Sequence, residues 1–518
     1  MANLIIPTGG TGTQADRVAN PLVVPKTVWE ANNPSDFMGS NGGYLVSGTY
    51  TLDYDGGSGP EESRITGDFS SCIVGMYIFV NPGSTTPGYH EIMAINGTTS
   101  VDIDAYDLDG NVLTVSDDGP ADVNAGGACG AGSAYTAIEN ANDTIINYID
   151  VDSHSIDVLY NLDETTDSGG FSEIDVSPGL LQHIRFIGTV YDASVADNNF
   201  AAFTSIVDKA DFPTITVNTT STSSYYFYVS GDHLDLRHIH ITGACSTFVL
   251  RAYRGYGCHY EQCWVEQTNT GATYGQAIAV DSSSFTGCYI STVGTQDEPL
   301  INDYRGSYKN CIFKAERSGI YTHGNYGFSI MGCIFICTGT SPGYGIYNET
   351  GLAAGGADVH GNIFYGFKTS VYLYTLDTGT TDMRIRLINN VIWGTNESGG
   401  YGIYNNESAT KERKLYCLNN FIGNVENEDN YNNIDLEHIS LTTNPFSDST
   451  PSDPEDFYFN NTAGGGALIK EKAFPLDFDM DGTQDNFATP CITEEPATGG
   501  GSGSILIPRG NLIGAMES

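Results

Sequence analysis

The sequence predicts an all-β chain: a right-handed parallel β-helix solenoid, preceded by a small N-terminal β module and one capping helix. Three observations predict it. A marker of one small polar or thiol residue and two large apolar ones recurs through the second half. It reads Cys263-Trp264-Val265, Cys288-Tyr289-Ile290, Cys311-Ile312-Phe313, Cys333-Ile334-Phe335, Asn362-Ile363-Phe364, Asn390-Val391-Ile392 and Asn420-Phe421-Ile422, at steps of 22–30 residues. Between the markers runs a second series, Gly319-Ile320-Tyr321, Gly345-Ile346-Tyr347, Ser370-Val371-Tyr372 and Gly402-Ile403-Tyr404. Gly, Asn, Ser and Thr turns join these short strands. A period of this length marks a solenoid whose units bury their apolar faces only by stacking.

Two or more strands per unit, without a regular Leu ladder, exclude a leucine-rich repeat. Like residues at like positions stack about 4.8 Å apart along the axis, and eight recognisable turns make a rod of roughly 38 Å. The expected interior holds a Cys ladder, an Asn pair and an Ile/Phe ladder. Ile290, Phe313, Phe335, Phe364, Ile392 and Ile422 are expected on equivalent strands. The right hand follows from the crossover rule for parallel strands.

The elements follow in chain order. Residues 1–60 are weakly patterned and read as an arm or anchor. Residues 61–125 read as a small β module, with strands at 76–80, 90–95 and 100–104 and a hairpin turn at Asn96-Gly97. Residues 126–175 hold the capping helix and the start of the solenoid. Ser133 caps that helix, and Ala134, Ala137, Ile138, Ala141 and Ile145 share one face. Such a helix, expected over 133–146, covers the first rung and its unpaired edge. Residues 176–440 form the parallel β-helix, and residues 441–518 close it, with 505–516 expected to lie back along or over its end.

Composition narrows the partners. Lys plus Arg total 21 against 63 Asp plus Glu, a net charge of −42. Such a surface repels nucleic acid and anionic membrane. No apolar run approaches the length of a membrane span. The start, Met-Ala-Asn-Leu-Ile-Ile-Pro, has neither a cationic n-region nor a long apolar h-region, so export by a signal peptide is not expected. The eleven cysteines contain no CxxC pair. Cys263, Cys288, Cys311 and Cys333 share one repeat position, so buried reduced thiols are expected, made in a cytoplasm.

Candidate sites are few. Tyr321, Tyr347, Tyr372 and Tyr404 follow an inward Ile or Val, so alternation turns them outward. There they can stack on sugar rings, contact another subunit or simply cover the surface. Asp477, Asp479, Asp481 and Asp485, with Gly482, resemble the start of a calcium loop, although Ala488 stands where a bidentate acid is expected. That segment reads either as a Ca²⁺ site or as an acidic turn. His238-x-His240 places two imidazoles on one strand face without a third ligand. Paired carboxylates would permit glycoside hydrolysis, and a basic residue beside a carboxylate cluster would suit a lyase. Asp297, Glu298, Asp303, Glu316 and Asp377, with Arg305, Lys309, Lys314 and Arg317, form no distinctive constellation. No catalytic residue is assigned.

The tail resembles the end of right-handed parallel β-helix proteins of bacteria and phages. The matching residues are Pro445-Phe446, Asp456-Phe457, Asp479-Met480-Asp481-Gly482 and Leu512-Ile513-Gly514-Ala515, with Asn511-Leu512 where that family has Asp-Ile. Val74-Gly75-Met76-Tyr77-Ile78 with Gly88-Tyr89-His90-Glu91-Ile92 is similar to modules that precede such solenoids in phage structural proteins. The resemblance covers roughly 70–518 and implies a surface structural protein of a tailed bacteriophage: an appendage, spike or decoration subunit. Its implied partners are other virion proteins, copies of itself (trimers favoured) and host polysaccharide, with release by lysis. A tailspike depolymerase and a cellular adhesin are the alternatives.

Overall fold

The computed structural model describes residues 22–23, most of 50–125, helical positions 138, 142 and 146, and, apart from loop segments, 156–472. From Ile156 onward it is a parallel β-solenoid. One rung supplies three strands, Ser307–Lys309, Ile312–Ala315 and Ser318–Thr322; the next supplies Phe328–Met331, Ile334–Cys337 and Tyr344–Asn348. All three pairings are parallel. The first two strands of each rung belong to a 21-stranded sheet that turns a corner, and the third belongs to a ten-stranded sheet.

Three apolar columns fill the interior. Ile241, Val265, Ile290, Phe313, Phe335, Phe364, Ile392 and Ile422 pair rung to rung in unbroken register, as the marker spacing predicts. Phe313, Phe335 and Phe364 stack with ring centroids 4.5 and 4.7 Å apart. A second column runs through Tyr260, Phe285 and Tyr308, and a third through Ile320, Ile346, Val371 and Ile403. Each is buried, and burying one such side chain contributes about 1.5–3 kcal/mol.

The corner inside the 21-stranded sheet explains the marker residue. The residue before each marker has a left-handed backbone: Gln262, Gly287, Asn310, Gly332, Gly361, Asn389 and Asn419. Gly and Asn adopt that conformation with least strain. The chain then turns inward, and the Cys or Asn that follows meets a carbonyl of the rung before. Cys263 Sγ donates to Leu236 O at 3.3 Å and Cys288 Sγ to Tyr260 O at 3.3 Å. Asn362, Asn390 and Asn420 make the same bond through Nδ2, to Ile330, Val359 and Leu387 at 3.0, 2.8 and 2.8 Å. The Cys ladder and the Asn residues are therefore one continuous column, with Asn420 making it an Asn triple. Eight cysteines among the described residues are free and buried. Burial pushes the Cys263, Cys288 and Cys311 thiols well above their ordinary range. The corner also corrects the histidine reading. His238 holds a left-handed φ of 55° between strands Leu234–Arg237 and His240–Gly243, so the two imidazoles do not share one strand face.

At the solenoid's start, Ile138 is helical and packs into the solenoid core. One turn on, Asn142 Oδ1 accepts the Asp175 and Val176 backbone N–H groups at 3.1 Å, and its Nδ2 donates to Asp175 Oδ1 at 2.9 Å. This closes backbone groups that a bare first rung would leave open. Leu22–Val23, inside the expected arm, pairs in parallel with Ile156–Asp157. Ile145 lies outside the described residues.

The C-terminal segment docks on the outside. Trp264, Tyr289, Ile312, Ile334, Ile363, Val391 and Phe421 form an outward apolar stripe, and Phe446, Phe457, Phe459 and Ile469 join the same cluster. A salt bridge from Lys314 Nζ to Asp453 Oδ1 at 2.8 Å ties the segment to the rung of Ile312. The last described element is a short helix, Gly466–Lys472. Residues 505–516 lie outside the described residues.

The N-terminal module is a closed antiparallel barrel of six strands, running from Tyr50 to Ala125. It takes in Tyr50–Asp53, upstream of the expected boundary at 61. The Asn96-Gly97 turn is present, with Gly97 at φ 73°. On the outer face of the barrel, Arg64 Nε meets Asp102 Oδ1 at 2.6 Å. Burial works to raise Asp102, but hydrogen bonds from the Arg64 guanidinium and the Ser58 N–H outweigh it and hold the carboxyl at about 2.

Candidate functional site: a tyrosine ladder beside a lateral groove

The four tyrosines occupy one register position of the ten-stranded sheet, Tyr321 to Tyr347 to Tyr372 to Tyr404. All are half-buried, with the preceding Ile or Val fully buried beneath. Their rings stack at centroid separations of 4.9, 4.8 and 4.8 Å and interplanar angles of 17°, 23° and 16°. Rung spacing sets this distance, because parallel in-register pairing puts identical side chains one strand apart. The stacking has a chemical consequence. Tyr347 and Tyr372 spend both ring faces on their neighbours, so the ladder offers edges and hydroxyls outward rather than open faces for a sugar.

Two further tyrosines stand across the ladder. Tyr344 lies 4.7 Å from Tyr347 and 5.2 Å from Tyr372, tilted by 45° and 67°. Tyr401 lies 4.7 Å from Tyr404 at 61°. Gly345, between Tyr344 and Ile346, faces the core instead: a Cβ there would sit 2.5 Å from the Ser370 carbonyl oxygen and 2.7 Å from the Phe364 ring.

Beside the ladder lies a groove of about 550 Å³, within the range of small-ligand sites. Tyr344, Tyr372, Tyr401 and Tyr404 form one wall, and Arg317, Lys368 and Glu397 supply its charged groups. Turns at 338–343 and 394–400 raise its rim. Glu426 supports one of these turns through a hydrogen bond accepted from the Gly399 N–H. The mixture of aromatic edges, hydroxyls and both charge signs suits a hydroxyl-rich ligand.

The other sequence candidates separate. Asp477, Asp479, Asp481 and Asp485 lie outside the described residues, as do Asp297, Glu298 and Asp377. Asp303 is inside the solenoid, where its Oδ1 accepts the Arg305 and Gly306 N–H groups at 2.9 and 2.6 Å, and burial pushes it up to about 7. Lys314 is committed to Asp453. Arg317 alone of these candidates lines the groove. Among the described residues, no group of three or more His, Cys, Asp or Glu side chains is placed to hold a metal, and no helix is long and apolar enough to cross a membrane. Tyr344, Lys368, Glu397 and Tyr401 were not singled out from sequence. The signal for the two tyrosines was present in Tyr344-Gly345-Ile346-Tyr347 and Tyr401-Gly402-Ile403-Tyr404, identical four-residue words. Comparison with family models, with curated proteins and with solved structures found no match.

Proposed function

We propose that this chain is a surface structural protein of a tailed bacteriophage particle, and that it binds host polysaccharide along the lateral face of its solenoid. The observation that carries the binding role is the stacked tyrosine ladder standing beside a groove with Arg317, Lys368 and Glu397. A straight row of hydroxyls repeating every rung is a surface for an extended, repeating, hydroxyl-rich polymer. Support for the phage setting comes from the resemblance of the tail and of the 74–92 module to phage β-helix proteins. Buried free thiols, stacked without disulfides among the described residues, fit synthesis in a reducing cytoplasm. The −42 charge disfavours nucleic acid as a ligand. In this reading the partners are other virion proteins and further copies of the chain, with trimers the expected assembly.

Two measurements test the proposal. Protein sequencing of fractionated phage particles should recover this chain; finding it only in host membranes or culture supernatant refutes the virion assignment. Purified protein should co-sediment with host surface polysaccharide. Release of reducing or unsaturated sugar in the same tube would replace the binding role with that of a depolymerase.

A further inference from the structure

The groove carries a period longer than one rung. Its corner column runs Arg317, Gly343, Lys368, Gly400 on successive rungs: Gly343 N–H bonds Arg317 O at 2.9 Å and Lys368 N–H bonds Gly343 O at 3.1 Å, and the pairing of Thr369 with Tyr401 sets Gly400 opposite Lys368. The next column runs Ser318, Tyr344, Thr369, Tyr401: Tyr344 N–H bonds Ser318 Oγ at 3.2 Å, and Tyr344, Thr369 and Tyr401 are register partners. A cation beside a small hydroxyl residue therefore alternates with a glycine beside a tyrosine. Over these four rungs the groove alternates every second rung, a spacing of about 10 Å, and the column then closes at Glu426, the position after Gly400.

We infer that the groove takes an extended acidic polysaccharide lying parallel to the solenoid axis, with one anionic group on every second sugar. This rests on the polysaccharide reading above and narrows its ligand. Two rungs match the advance of an extended disaccharide. The anion of each repeat faces Arg317 or Lys368, and the uncharged sugar between faces the glycine and its tyrosine. The chain as a whole has 21 cationic side chains against 63 acidic ones, whereas the groove lining holds two cations, Arg317 and Lys368, against the single carboxylate of Glu397. Glu397 decides against charge on every sugar. It lines the groove at the turn before Gly400, with Glu426 hydrogen-bonded to the same turn at Gly399. An anion at the Gly400 rung would meet these carboxylates, whereas sugar hydroxyls there can donate to Glu397.

The test uses the full chain and three soluble probes: hyaluronan oligosaccharides, charged on alternate sugars; oligogalacturonate, charged on every sugar; and dextran oligosaccharides, uncharged. Hyaluronan should bind tightest by calorimetry. Arg317→Gln with Lys368→Gln should weaken it about tenfold or more and flatten its salt dependence. Both positions are at the surface, and an unchanged melting temperature will show that the variant folds. Glu397→Gln, at an exposed turn, should narrow the gap between oligogalacturonate and hyaluronan. Equal or tighter binding of dextran, or a double variant without effect on hyaluronan, overturns this inference and leaves the polysaccharide reading standing. Binding of none of the three probes, together with no retention on host polysaccharide, overturns both.

Discussion

Asn390 Oδ1 accepts two hydrogen bonds from Asn362, one from its backbone N–H at 3.1 Å and one from its side-chain Nδ2 at 3.0 Å. Asn420 does the same for Asn390, at 3.1 and 2.8 Å. Each amide thus completes the corner of the rung before it.

Replacing Asn390 by Leu keeps the volume and strands these donors in a dry interior. An unmet buried partner costs about 1–3 kcal/mol. Thermal unfolding of Asn390→Leu should occur several degrees below wild type. Asn390→Cys should lose less, because Cys333 fills the same column position two rungs earlier. Equal melting of wild type and the Leu variant would show that the ladder contributes nothing.

Asp303 gives a pH signature. Burial raises its carboxyl from an ordinary 3.8 to about 7, although backbone N–H groups oppose the shift. The folded state therefore holds the proton more tightly than the unfolded one. That contribution is complete below about pH 4 and is lost as pH rises through 7. Asp303→Asn should remove this part of the pH dependence, so the melting-temperature difference between variant and wild type should grow in the variant's favour from pH 4 to pH 8. A difference that stays flat across that range counts against a proton on Asp303.

The thiols report on packing. Cys245, Cys258, Cys263, Cys288, Cys311, Cys333, Cys337 and Cys417 are buried, and burial raises Cys258 to about 12 and Cys337 to about 11. Exclusion of reagent should leave all eight silent toward a thiol reagent in native protein, and the raised Cys258 and Cys337 thiols are unreactive by protonation as well. Denaturation without reductant should reveal at least these eight. Fewer would mean that some are oxidised.

The helical cap is tested at Ile138, which is 1% exposed and belongs to the solenoid core. Its burial contributes about 1.5–3 kcal/mol by area, and a buried carboxylate adds a desolvation penalty. Ile138→Asp should shift the protein into aggregates or the insoluble fraction. Full solubility with unchanged melting would show that the helix does not seal the first rung.

How much of this was legible in sequence depended on whether a feature repeats once per rung. Val265 through Ile422 repeat every rung, so their register could be read from spacing alone. The four ladder tyrosines obeyed the same rule. Lys368 and Arg317 did not, because their period is two rungs and turns of unequal length hide it; each cation alone looks like a solvated surface residue. The barrel boundary was missed because Tyr50–Asp53 is one short strand followed by a Gly-rich turn, without enough alternation to mark it. The outward stripe was half visible. The first apolar residue of every marker was in plain view at Ile312, Ile334 and Ile363, yet alternation predicts that it faces outward. Its cover, Phe446 to Ile469, lies far off in sequence, and no local pattern announces such a pairing.

That cover changes how the solenoid holds together. In a pure stack each rung touches only its neighbours, so stability adds up like links in a chain and fraying can start at either end. Phe446, Phe457, Phe459 and Ile469 share one apolar cluster with residues from successive rungs, and Asp453 reaches Lys314 across 139 residues of sequence. The strap makes distant rungs answer to one another, so melting in this region becomes a single event rather than an unzipping. It also fixes an order of assembly: the last part of the described chain has no landing site until the rungs before it have aligned, so its docking reads out whether the register is correct.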